Sequence, residues 1–152
     1  MGRGDDGRPR EVAVRSYWLD DPDSTREIIL RKDSWEEAGA ARIGWKGSVH
    51  VVAWTAMEST LRVARIDPQL RRAGADLVVA GVHPTRACAL SHDGRWVAWR
   101  SVTGMIRVSR LDDDGALIGS HLDVAQSFVE DVIGLASDGE TALLAWPTRP
   151  SS

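Results

Sequence analysis

An apolar run ending in Ala-Trp occurs three times in this 152-residue chain, as Val52-Ala53-Trp54, Val97-Ala98-Trp99 and Leu144-Ala145-Trp146. The tryptophans stand 45 and 47 residues apart, the period of small four-stranded units repeated side by side. A second marker keeps the same beat. Arg62-Val-Ala-Arg-Ile-Asp67 matches Arg107-Val-Ser-Arg-Leu-Asp112 position by position, and Arg15-Ser-Tyr-Trp-Leu-Asp20 is a looser copy, its Asp 47 residues before Asp67. Agreement of two independent markers on one period argues against coincidence.

Alternation places Arg62, Ala64 and Ile66 on one side and Val63, Arg65 and Asp67 on the other, which is the pattern of a strand. The Trp run is apolar on both sides, with Val51 and Ala53 on one and Val52 and Trp54 on the other, and Trp96 to Trp99 and Leu143 to Trp146 repeat this. Such a strand needs cover on both faces, as an inner strand between stacked sheets has. Two further apolar runs fall in each unit: 28–30, 77–79 and 122–125 in one slot, then 41–45, 87–90 and 132–136 in the next. Gly47, Ser91-His-Asp-Gly94, Ser137-Asp-Gly139, Asp67-Pro68 and Asp112 to Gly115 mark turns between them. No segment of ten or more residues keeps a helical period, and 33–41 reads as a loop.

The expected fold class is therefore all-β, with about three four-stranded antiparallel units of 45–47 residues. Counting each unit from its Trp strand leaves strands two to four of one unit at the N-terminus and only its first strand, 140–146, at the C-terminus. One unit is then split between the two ends, strand 140–146 being expected to pair with 11–45. The chain divides into a disordered segment 1–10, a repeat domain 11–147 and a tail 148–152.

Ser91-His-Asp-Gly-Arg-Trp-Val-Ala-Trp99 resembles the Ser-Pro-Asp-Gly hairpin of TolB-type, WD40-like β-propeller repeats, with His92 where Pro is usual. Ile133-Gly-Leu-Ala-Ser-Asp-Gly-Glu-Thr-Ala-Leu-Leu-Ala-Trp146 is similar to units of long bacterial propeller-like proteins. Gly47 lacks the Asp before it, so the first Trp unit departs from the pattern. Over 11–147 the resemblance implies propeller blades, and a scaffold that hosts many functions. Propellers typically have four to eight blades, so three units imply a head-to-tail dimer of this chain, a fragment of a longer propeller protein or, last, a monomer with three blades in an open arc.

Composition excludes some partners. With 43% apolar residues, 27% charged residues and a net charge of −3, the chain has no electrostatic attraction to nucleic acid or an anionic membrane. No apolar stretch reaches the ~18 residues of a membrane span, and Met1 to Arg10 is polar. As written the chain reads as cytoplasmic; as part of a longer exported protein it would be periplasmic or extracellular.

Catalysis has no local signature. His50, His83, His92 and His121 fall in no metal-binding spacing, and there is no Gly-x-Ser-x-Gly elbow, phosphate loop or dinucleotide fingerprint. The lone Cys88 reads as a small buried hydrophobe. The acidic clusters Asp20-Asp21-Pro-Asp23 and Asp112-Asp113-Asp114-Gly115 lack the register of a calcium loop and read as turns. No cofactor and no metal are expected. Of seven tryptophans, Trp54, Trp99 and Trp146 repeat in register and read as core. Trp18, Trp35 and Trp45 have no Trp at equivalent positions and are candidates for a stacking surface, with Glu36 and Glu37 beside Trp35 to meet sugar hydroxyls. The expected function is a non-enzymatic scaffold binding a protein or peptide, a second copy included; the alternative is a lectin-like module binding glycans.

Overall fold

The computed structural model describes residues 12–16, 21, 23, 26–31, 41–56, 58–83, 88–127 and 133–148. They form four antiparallel sheets. The first pairs β1 (Val12–Ser16) with β2 (Arg26–Arg31). The second runs in chain order through β3 (Arg42–Trp45), β4 (His50–Ala56), β5 (Thr60–Ile66) and β6 (Leu77–Ala80). The third does the same through β7 (Ala89–Leu90), β8 (Trp96–Arg100), β9 (Met105–Leu111) and β10 (Leu117–Gln126). The fourth pairs β11 (Gly134–Ser137) with β12 (Ala142–Ala145). Among the described residues there is no helix, hence none long and apolar enough to cross a membrane.

The repeat is kept in the pairing. Trp54 lies opposite Arg62 and Val51 opposite Arg65 in β4–β5; Trp99 lies opposite Arg107 and Trp96 opposite Arg110 in β8–β9, every position displaced by 45. The phase of the unit, however, differs from the one read from the sequence. Residues 41–45 and 87–90 do not end the unit before them: β3 pairs with β4, and β7 with β8. The turns between these pairs are short, 46–49 and 91–95, whereas 81–88 separate β6 from β7, and short turns join antiparallel neighbours. As a result the C-terminal end holds the hairpin β11–β12 instead of a lone strand, and β12 pairs with β11 of its own chain. Segments 1–10 and most of 33–41 lie outside the described residues.

The sheets stack face to face in chain order. Val12 and Leu30 of the first meet Val52, Trp54, Ala64 and Ile66 of the second. The opposite face of the second gives Val51, Ala53, Leu61 and Val63 to a core shared with Leu90, Val97, Trp99 and Leu111 of the third. Ala98, Ile106 and Val108 on the third's far face meet Ile133, Leu135, Leu144 and Trp146. Strand β4 is thus covered on both faces, as its doubly apolar sequence requires. Each repeated Trp takes the same slot, on the face that meets the preceding sheet. Trp54 and Trp99 are 0% and 1% exposed, while Trp146 is half-buried. The outermost sheets leave apolar side chains in solvent: Ile29 on β2 is 38% exposed and Leu143 on β12 is 71% exposed.

Candidate functional site

The β7–β8 turn and the β11–β12 turn face each other across a polar cavity of about 470 Å³. Its lining includes His92, Asp93, Arg95, Arg110, Asp138 and Glu140. The Ser-x-Asp-Gly sequence builds the first wall. Ser91 Oγ donates to Asp93 Oδ1 (2.5 Å) and accepts from the backbone N–H of Trp96 (3.0 Å); Asp93 Oδ1 also accepts from the N–H of Arg95 (3.1 Å). Gly94 closes the turn at φ 65°, a region that side chains disfavour. In the second wall Ser137 Oγ accepts from the N–H of Gly139 (2.8 Å), and Asp138 Oδ1 accepts from those of Glu140 (3.0 Å) and Thr141 (2.8 Å).

One bond joins the walls: Ser137 Oγ donates to Asp93 Oδ2 at 2.9 Å. Partial burial pushes the Asp93 carboxyl up, but the hydrogen bonds from Ser91, Arg95 and Ser137 outweigh it and hold the group below the usual carboxylate range. A depressed native pKa contributes stability that is full above the unfolded value of about 4 and is lost as pH falls through the native value. Asp93→Asn should therefore lower stability by about 1–2 kcal/mol at pH 7 and flatten its fall below pH ~4, which urea unfolding at a series of pH values measures. An unchanged acid limb would contradict this role.

The two repeated arginines have different surroundings. Arg65, on the second sheet, reaches the β9–β10 turn of the third: Nη1 donates to Asp113 O (3.3 Å) and lies 3.9 Å from Asp114 Oδ1. Lys46 grips the same turn, Nζ donating to the carbonyls of Leu111 and Asp112 and standing 3.5 Å from Asp113 Oδ1. The acidic cluster there serves the turn, since Asp112 Oδ1 accepts from the N–H groups of Asp114 and Ala116 (both 2.9 Å). Arg110 occupies the place of Arg65 one repeat later, on the face that looks toward the fourth sheet. Its guanidinium lies 5.9 Å from the Trp96 ring centre. Among the described residues neither Arg110 nor Arg95 makes an ion pair, and both face the cavity.

Of the five residues proposed from sequence for a stacking surface, Trp18, Trp35, Glu36, Glu37 and Trp45, the described one is Trp45. It ends β3, is 45% exposed, and its ring lies 4.6 Å from that of His50; its backbone N–H donates to the His92 carbonyl across the sheets (2.8 Å). Trp18, Trp35, Glu36 and Glu37 lie outside the described residues. Cys88 is buried, and burial pushes its thiol up to about 11, which leaves it a poor nucleophile at neutral pH. The cavity was missed in the sequence, although its signal was present in the matching places of Arg65 and Arg110. Comparison with family models, curated proteins and solved structures finds no match for this chain.

Proposed function

We propose that this chain is a non-catalytic scaffold of the β-propeller type, completed by a second copy of itself, whose turn-lined end binds a protein or peptide. The observation that carries the reading is the equivalence of two strand edges that are open among the described residues. Strand β12 stands in its hairpin where β4 and β8 stand in their sheets, and β1 stands where β5 and β9 do. Trp146 and Arg15 repeat the facing pairs Trp54–Arg62 and Trp99–Arg107, yet β12 and β1 belong to different sheets. Two halves of a four-stranded unit thus lie at opposite ends of the stack, each with an edge that invites pairing. A head-to-tail pair of chains related by a two-fold axis joins both sets of halves, giving six units, within the typical four to eight.

The register gives a direct test. Ala53 faces Val63 in β4–β5, and the same offset sets Ala145 against Ser16. Ala145→Cys combined with Ser16→Cys should yield a covalent dimer on mild oxidation, with Cys88 buried and silent. Cross-linking no better than in the single variants contradicts the pairing. The glycan-binding alternative is favoured by the exposed Trp45 beside His50; it requires tryptophan fluorescence to be quenched by added sugar in the parent and not in Trp45→Ala.

A further inference from the structure

We infer that the face of β3 carrying Ile43 is the docking surface for the β11–β12 hairpin of a second copy of this chain, with the partner's Leu143 seated on Ile43. The inference rests on the closure proposed above and adds a face-to-face contact to the edge pairing of β12 with β1. Its basis is a contact that the molecule makes twice. Val51, three residues before Trp54, lies in one core with Leu90, which stands opposite Val97 in the next sheet. Trp96, three residues before Trp99, packs in the following core with Leu135, which stands opposite Leu144. Val97 and Leu144 each stand two residues before their own repeated Trp. Leu90 and Leu135 therefore hold one position of the repeat, and Val51 and Trp96 another. Each position has a third holder: Leu143 stands three residues before Trp146, and Ile43 stands opposite Val52, two residues before Trp54.

These two third holders lie in solvent. Leu143 is 71% exposed where Val51 is 1%, and Ile43 is 55% exposed where Leu90 is 8%. The split unit is the cause. No sheet follows the fourth among the described residues, so Leu143, with Ala136 opposite it and Ala145 two residues on, forms an uncovered apolar face. At the other end, the first sheet has two strands in the places of β5 and β6 and lacks the pair that would lie over β3. Ile43 and Trp45, alternate residues on one side of β3, are left exposed there. What β3 lacks is the first hairpin of a unit, and β11–β12 is such a hairpin with its own forward face bare. Pairing β12 of one copy with β1 of the other brings that bare face over Ile43. In a two-fold pair the contact forms twice, and it extends the series from Val51–Leu90 and Trp96–Leu135 around the whole assembly.

The test is the dissociation constant of the full-length chain, followed by light scattering on dilution. Leu143→Asp should weaken the dimer by about 10- to 100-fold, because a carboxylate then enters an apolar contact in both copies. Ile43→Lys, on a different sheet, should weaken it similarly. Joining the two in one chain should recover about tenfold over either alone, since opposite charges then meet. Val102→Asp, at an exposed apolar residue between β8 and β9, should leave the dimer unchanged. Circular dichroism checks folding; Leu143→Ser and Ile43→Thr read the same direction if either charge unfolds the chain. A parent dimer indifferent to substitution at both 143 and 43 overturns the docking surface and leaves the edge pairing standing, which the cross-link between positions 145 and 16 reads separately. Weakening by both without recovery in the joined variant overturns the seating of Leu143 on Ile43. A parent that is monomeric at all concentrations overturns the closure, and the docking with it.

Discussion

Trp99→Ala should lower the unfolding free energy by about 3–5 kcal/mol, the range for emptying a fully buried aromatic site. The side chain is 1% exposed and sits in the core between the second and third sheets, with Val51, Ala53, Leu61 and Val63 on the facing strands. Both sheets are tied to their other neighbours, so the void cannot collapse without parting those contacts as well. A domain of this size has only about 5–15 kcal/mol in all, and the variant should be partly unfolded at 37 °C. Trp99 Nε1 has no hydrogen-bond partner among the described residues, and a buried unpaired donor costs roughly 1–3 kcal/mol. Trp99→Phe removes that donor with part of the ring and should cost less than about 2 kcal/mol. The half-buried Trp146 gives an internal scale: Trp146→Ala should cost no more than half as much as Trp99→Ala. Urea unfolding of the three variants at 25 °C reads the order directly. Equal losses at 99 and 146 would show that the shared slot does not carry shared packing.

Gly44→Val should be nearly as damaging, by the opposite mechanism. Gly44 lies buried in β3 opposite Val51, where β3 comes against the β7–β8 turn. A Cβ there would stand 2.6 Å from Ser91 O, 3.0 Å from Gly94 N and 3.1 Å from His92 O. All three are backbone atoms and have no rotamer by which to yield. The second and third sheets would have to separate at the point where Trp45 N–H donates to His92 O. Overpacking costs roughly 1–3 kcal/mol where neighbours can shift and more where they cannot. Gly44→Ala should lower the melting temperature by about 5 °C and Gly44→Val by about 10 °C or more, at roughly 2–4 °C per kcal/mol for a chain of this length. A fall of less than about 2 °C in both would mean that the sheets are not held at this distance.

The sequence carried most of the secondary structure because the signals there are local. The period-two pattern of 62–67 and the doubly apolar Trp runs became β5, β4, β8 and β12, and the positions of Trp54 and Trp99 at the core follow from repetition alone. The grouping of strands into sheets was harder. Residues 41–45 and 87–90 lie between two repeats and are apolar enough to join either, so hydrophobicity does not decide their sheet. The short turns 46–49 and 91–95 decide it, against the longer 81–88 connection. The cavity depended on a relation that no local pattern encodes: Arg65 and Arg110 look identical in sequence, yet the third sheet brings its β9–β10 turn onto Arg65, while Arg110 faces the two-stranded fourth sheet across the cavity. Asp112 shows the converse, since an Asp followed by two acids and Gly already implies a turn in which its carboxylate accepts neighbouring N–H groups.

Completion of the stack by a second copy is most directly tested by the solution mass of the purified chain. Light scattering at tens of micromolar should give twice the 16.6 kDa of one chain, in a single species that dissociates only on strong dilution. A single species of 16.6 kDa at every concentration, well folded and soluble with both edges open, would contradict the account.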